Sequence, residues 1–264
     1  SGRANVNTGV AVHSLRAAGE TAIAELMGLV GDADMPIHIH VAEQTAEVDD
    51  CVKATGQRPI AYLCAELAPD RRWQLVHATH ATAAEIDAVA RSGAAIVICP
   101  ATEGNLGDGL TDLAGWLDAG VPMAIGSDSH VVRNWPEELR WLEYGQRLVH
   151  RKRNVAASPG RQSATAARLF DAALGAGAAA AGQTTWGLVT GARADALVLD
   201  AGAPALLGIP ATHQLDALVF ASAEPAFHEV IVAGASVLQG GRHPIQDTIA
   251  RNFEAAMQAI WNSE

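Results

Sequence analysis

From its start to about residue 150 the chain is a series of short apolar runs separated by amphipathic stretches. The run "GVAVHSL" has strand character, and Ile23, Leu26, Met27 and Val30 after it recur at helical spacing. "PIHIHVA" is a second strand, followed by the helical patterns "TAEVDDCVKATG" and "IAYLCAEL". "WQLVHA" is a third, and Thr82 with Glu85 predicts a capping box for the helix "AAEIDAVARSG". "AAIVICP" and "VPMAIGSD" are two further strands with "LTDLAGWLDAG" between them, and Asn134 with Glu137 predicts a second capping box, for "PEELRWLEYGQRLVH". Strands and helices alternating at this interval predict repeated βα units and a parallel sheet.

The texture then changes. "GAGAAAAG", after "SATAARLFDAAL", reads as a helix end running into a linker. Beyond it, "WGLVTGARADALVLDAG", "LDALVFAS" and "HEVIVAGASVLQGG" read as short strands with Gly turns and no helix between them. In the last stretch Ile249, Phe253, Met257 and Ile260 share one helical stripe, which predicts packing against the body. The expected plan is a βα region over residues 1–182, a small β region over 183–245 and a C-terminal helix within 246–264. Five strand-to-loop signals fall short of the eight that close a barrel, so either the sheet is open or the first part of a barrel is absent.

Composition narrows the function classes. With 264 residues, 49% of them hydrophobic, the chain can bury one large core. A formal net charge of -11 argues against a nucleic-acid surface, and no run of about 18 apolar residues predicts a membrane span. Cys51, Cys64 and Cys99 are odd in number and lack CxxC spacing, as expected for reduced thiols of a cytoplasmic protein. The start of the chain shows no charged-then-apolar signal segment.

Candidate chemistry begins at "HIHVAEQ". Alternate side chains of a strand share a face, so His38 and His40 point one way while Ile37, Ile39 and Val41 point toward covering helices. Glu43 is out of step with His40 and falls on the following loop, the active-site side of parallel α/β folds. His77 ends the strand in "LVHATHA", and Asp128 follows the apolar run in "AIGSDSH". One βα unit takes about 30 residues or more, so positions 40 and 77 fit successive strands and position 128 fits two strands later. His, Glu, His and Asp from three strand ends then converge on one rim. Such a set suits metal-assisted hydrolysis: His40 and Asp128 as ligands of a divalent ion, a bound water brought to a pKa of about 7, and Glu43 and His77 moving protons and stabilising charge. His38, deeper in its strand, reads as structural. His80 and His130 flank the rim, in a supporting or a substrate-contacting role, and His150, His213, His228 and His243 read as surface or turn residues.

These strings resemble the amidohydrolase superfamily: "HIHVAEQ", "LVHATH" and "GSDSH" are similar to its fifth, sixth and eighth strand ends. Within it, "CPATEGNLGDG" and "EELRWLEYGQRL" are similar to the formimidoylglutamate deiminases of histidine degradation, and "GLVTGARADALVLD" is like the small β-sandwich beside these barrels. The resemblance covers nearly the whole chain. It implies an α/β fold, a (β/α)8 TIM-type barrel here without its first strands, with a small β-sandwich region. It also implies a cytoplasmic hydrolase with one divalent metal: Zn²⁺ suits the donors, and Fe²⁺, Mn²⁺ and Ni²⁺ stay open.

By position, the resemblance makes His40 and Asp128 metal ligands, Asp128 also taking a proton from the attacking water. Glu43 becomes the acid/base for the imino nitrogen, and His77 steadies the attacking oxygen. "VHSLR" matches the family's fourth strand, where His13 and Arg16 would bind the glutamyl carboxylates, a task that suits the planar fork of Arg. As a bare charge at a helix start Arg16 would be mildly disfavoured by the dipole, which favours a functional reason for it. Two departures stand out: the superfamily's first-strand HxH metal pair has no counterpart before "HIH", and "VVRNWPEE" sets bulky Arg133 and Trp135 after Asp128.

The implied partner is a small molecule, with a homodimer as the common default. Two other readings stay open. One is a related deaminase acting on a nucleobase or cyclic amidine, which shares the quartet without needing Arg16. The other is a non-catalytic barrel relic or subunit.

Overall fold

In a computed structural model the described residues are 6–224 and 226–262. They fall into two compact units, Ser1–Thr184 with Ile209–Ala221, and Thr185–Gly208 with Ser222–Glu264.

The first unit carries five parallel strands in sequential order, β1 (Val10–Ser14), β2 (Ile37–Val41), β3 (Trp73–His77), β4 (Ala95–Ile98) and β5 (Met123–Ile125). Between and after them run α1 (Glu20–Val30), α2 (Thr45–Thr55), α3 (Pro59–Tyr62) continuing into a π turn, α4 (Ala83–Ser92), α5 (Pro100–Leu106), α6 (Leu113–Asp118), α7 (Trp135–His150) and α8 (Thr165–Ala180). All five strands read from the hydrophobic pattern are present. These are consecutive βα units of a barrel-type α/β fold.

Alternation divides the sheet. Ile37, Ile39 and Val41 of β2 lie in the helix-facing core with Leu75, Ile96, Ile98 and Met123, each at most 1% exposed. On the opposite face the register aligns His40 with Val76, Val76 with Val97 and Val97 with Ala124. Val97 and Ala124 are joined there by Ala176 of α8. His38 lies on this face too, and its Nε2 meets the Ala180 carbonyl oxygen at 3.1 Å, as a structural histidine should.

Two local expectations need correction. Residues 215–222, read as a strand, form helix α9 (Gln214–Phe220) of the first unit, with Leu218 and Val219 buried. Leu215, Leu218 and Val219 have i, i+3, i+4 spacing, which a short apolar run hides. The helix is pinned by the Asp216 carboxylate, which accepts the Ala166 amide at 2.9 Å, and by Arg140, which donates to the Val219 carbonyl. At α7 the second capping box does not form: Asn134 is the N-cap, but its side chain makes no capping bond. The Glu137 amide that the box requires is bonded to Asn134's own carbonyl at 2.9 Å instead.

The second unit holds an antiparallel sheet of β6 (Ala196–Leu199), β7 (Phe227–Val232) and β8 (Ala235–Gln239), then α10 (Gln246–Trp261). No residue of α10 is buried, and its stripe is exposed at Ile249 and Phe253. Among the described residues no helix is long and apolar enough to cross a membrane.

The Thr82 box at α4 forms fully, Glu85 bonding the Thr82 amide at 2.9 Å and Thr82 Oγ1 the Glu85 amide at 3.3 Å. Thr82→Ala is expected to lower unfolding free energy by about 1 kcal/mol. The readout is a lower urea midpoint at unchanged slope.

Candidate active site

The site is built where β1, β2, β3 and β5 end, and left-handed backbone shapes most of it. Ala42 (φ 51°), His77 (70°), Ala78 (50°) and Asp128 (36°) all adopt positive φ, a conformation that costs a non-glycine residue roughly 1–2 kcal/mol. Such outliers persist only where surrounding bonds over-determine them. At Ala42 the bonds come from Glu47, 3% exposed in the first turn of α2, whose carboxylate accepts the Ala42 amide at 3.0 Å and the Glu43 amide at 2.9 Å. Past β3, the Ala78 amide donates to Val41 O and the His80 amide to Ala42 O, each at 3.1 Å.

The kink at His77 changes where its ring goes. His77 is in register with Val41, whose side chain is in the helix-facing core, so strict alternation would send the imidazole outward. Instead it is 1% exposed, its ring stacks on that of His40 with centroids 5.6 Å apart, and its Nε2 lies 3.6 Å from Glu43 Oε1. His40 in turn meets the His13 ring edge-on at 5.5 Å, and its Nδ1 is 2.7 Å from the His13 carbonyl oxygen. That bond requires a proton on Nδ1 and leaves Nε2 as the lone pair. Arg16 Nη2 is 3.3 Å from Glu43 Oε2 and 3.9 Å from Glu47. His13, Arg16, His40, Glu43 and His77 are thus gathered in one chain of contacts.

Asp128 is exposed on the loop after β5. Its charge helps to raise the pKa values of both His77 and Cys99. The loop is tied down next to Asp128, where Ser129 Oγ meets Thr102 Oγ1 at 3.0 Å and the Ser129 amide donates to the same oxygen at 3.3 Å.

Burial and charge oppose each other here. Burial acts to lower the His77 pKa, but the bond to Glu103 and the charges of Glu43, Glu103 and Asp128 raise it above the ordinary histidine value. Burial pushes the Cys99 thiol up, helped by Glu103, Asp128 and Glu138. Burial also raises Glu138, on α7, from 4.5 to about 7, although its Oε2 accepts the Ala101 amide at 2.9 Å.

Three residues that sequence reasoning passed over support the rim: Glu47, Thr102 and Glu103. Their shared signal is a polar side chain in the first turn of the helix after a strand, where an acceptor can reach loop amides. His80 sends its amide to Ala42 O, with its ring against Gly109; His130 is exposed, with φ 60°. Trp135 begins α7 and packs on Phe170 at 5.0 Å.

The chain matches the amidohydrolase family over residues 2–237. This chain belongs to the amidohydrolase family. It is 46% identical over 245 residues to formimidoylglutamate deiminase of Pseudomonas aeruginosa, covering 93% of this chain and 54% of that protein. It is 31% identical over 250 residues to 5-methylthioadenosine/S-adenosylhomocysteine deaminase of Halobacterium salinarum, covering 94% and 56%. Among solved structures, an amidohydrolase from Brucella melitensis superposes with a TM-score of 0.90 at 40% identity, over 96% of this chain and 55% of that one. An adenosine deaminase from Xanthomonas campestris with bound zinc does so at 0.81 and 26%, over 97% and 57%. The chain spans about half the length of the curated relatives it matches.

Against the metal chemistry of an amidohydrolase site, the donors present fit in kind. His40 offers Nε2 with its other nitrogen fixed by a backbone carbonyl, the usual support of a metal-binding imidazole, and Asp128 offers an exposed carboxylate. An imidazole nitrogen and a carboxylate oxygen are both donor types that a tetrahedral zinc site accepts. Among the described residues, the group of three ligand atoms that lie within 4.8 Å of one another is a different one, His77, Cys99 and Glu103.

Glu138 generates a pH prediction. Its folded value lies above the unfolded one, so the folded state holds a proton that the unfolded chain releases, and stability falls as pH rises from 4.5 to about 7. Glu138→Gln keeps an oxygen for the Ala101 amide. It is expected to be more stable than the parent at pH 8, by on the order of 1–3 kcal/mol, with the gap closing below pH 4.5 in chemical denaturation.

Proposed function

We propose that the chain forms the acid–base side of a metal-dependent deiminase that hydrolyses N-formimidoyl-L-glutamate to N-formyl-L-glutamate and ammonia. The carrying observation is the position of Glu43, with Oε2 at 3.3 Å from the Arg16 guanidinium and Oε1 at 3.6 Å from His77 Nε2. One carboxylate therefore touches both a cation suited to an anionic substrate and an imidazole suited to proton chemistry. The 46% identity to a formimidoylglutamate deiminase supports the same reading.

In this reading Arg16 and His13 bind the glutamyl carboxylates, and the incoming carboxylate competes with Glu43 for the guanidinium fork. Release from Arg16 frees Glu43 to carry a proton to the imino nitrogen at the formimidoyl carbon. His77 sets Nε2 against the attacking oxygen and balances the charge that develops there. Asp128 accepts a proton from the attacking water and delivers it to the amino nitrogen, the hydroxyl proton returns to Glu43 as the formyl C=O forms, and ammonia leaves. His40 Nε2 and the Asp128 carboxylate would hold a divalent cation, Zn²⁺ by their donor chemistry, which when bound supplies Lewis-acid activation of water.

Full-length protein supplied with Zn²⁺ is expected to release ammonia from N-formimidoyl-L-glutamate in a coupled ammonia assay. Arg16→Ala is expected to raise KM about 10- to 100-fold, the size of a lost charge-assisted bond, with a smaller change in kcat. Absence of ammonia overturns the assignment. The nucleoside deaminases among the relatives motivate one alternative: undiminished activity of Arg16→Ala on an uncharged cyclic amidine would favour it.

A further inference from the structure

The strand-end histidine His77 has two nitrogens, and the reading above employs only one. Nε2 faces Glu43, while Nδ1 faces away from the rim and lies 3.3 Å from Glu103 Oε1. Glu103 sits in the first turn of α5 and is 3% exposed. The same Oε1 accepts the Cys99 amide at 2.9 Å. Cys99 is 2% exposed and completes the group of three ligand atoms within 4.8 Å of one another.

Two occupants suit such a group, a cation or a proton. A cation needs Nδ1 as a lone pair and Cys99 as a thiolate. The geometry favours the proton, because Nδ1 and Oε1 already stand at hydrogen-bond distance and Oε1 is also engaged by a backbone amide. A buried carboxylate bonded to the remote nitrogen of an imidazole fixes both its tautomer and its ring orientation.

We propose that Glu103 is the positioning residue for His77, holding the proton on Nδ1 so that Nε2 is the atom His77 presents to the rim. Its bond to the Cys99 amide anchors the carboxylate to the end of β4, and its bond to His77 carries that anchor across to the end of β3. With the proton on Nδ1, Nε2 is the nitrogen set 3.6 Å from Glu43. The role in turnover rests on the deiminase reading; the tautomer does not.

The direct test is ¹⁵N–¹³C NMR of histidine-labelled full chain, with the His77 signal identified by its loss in His77→Asn. The wild type is expected to show Nδ1 protonated. Glu103→Ala is expected to move the proton of the neutral ring to Nε2 and to lower kcat about 10- to 100-fold with KM within about twofold. Glu103→Gln keeps an oxygen for both donors and is expected to restore the wild-type tautomer and most of kcat. It also serves if the alanine variant does not fold. An Nε2–H tautomer in the wild type, or one unaffected by Glu103→Ala, overturns the proposal. So does a thiolate-to-cobalt charge-transfer band on Co²⁺ addition that is lost in Cys99→Ser, which would place a cation in the group. A Glu103-dependent tautomer in a protein that releases no ammonia would sustain this inference while the deiminase reading fails.

Discussion

The site depends on buried carboxylates satisfying backbone amides where the strands stop. A strand end that turns left-handed leaves N–H groups without a ladder partner, and a buried unpaired donor costs about 1–3 kcal/mol. Glu47 takes two such amides and Glu103 takes one, each from the first turn of the helix that follows. That satisfaction offsets the strain of positive φ at Ala42. At His77 and Ala78 the offset comes from amides reaching back to β2. The same carboxylates reach functional groups, since Glu47 lies 3.9 Å from Arg16 and Glu103 bonds His77. Loop geometry and site electrostatics therefore share their supports.

Alternation of side chains explains part of the site and fails at one instructive position. His40 is where a period of two puts it, on the face opposite Ile39 and Val41. Glu43 follows because β2 ends at Val41 and the chain turns at Ala42. His77, by contrast, is in phase with buried Trp73 and Leu75. It reaches the rim only through its own left-handed φ, which a hydrophobic pattern does not encode. Glu47, Thr102 and Glu103 were illegible for a related reason: a glutamate or threonine in a first helical turn has the same sequence signature whether it faces water or accepts buried amides. The strands of the first unit are readable because their short apolar or alternating runs recur with amphipathic helical stretches between them, a context that favours βα units. Helix α9 was misread because a short apolar run fits both periods until its packing partners are known.

The amidohydrolase framework and the local geometry bear on different parts of the functional question. Family membership is carried by a match over most of the chain and by superposition on larger proteins. The proposed chemistry rests on four side chains in series, Arg16 to Glu43 to His77 to Glu103, linked at 3.3, 3.6 and 3.3 Å. The first is suited to recognition of an anion, the next two to proton movement, and the last to orientation. Arg16, at one end of the series, is exposed, while His77 and Glu103 are buried.

These turned strand ends assemble His13 of β1, His40 of β2 and His77 of β3 into one row of rings. Cross-relaxation between ring protons of selectively labelled histidines measures that directly and needs neither metal nor substrate. Cross-peaks are predicted from His13 to His40 and from His40 to His77, whose ring centroids are 5.5 and 5.6 Å apart. A folded protein in which His77 shows no cross-peak to His40, its ring instead contacting only the helix-facing core, would contradict this arrangement of the strand ends.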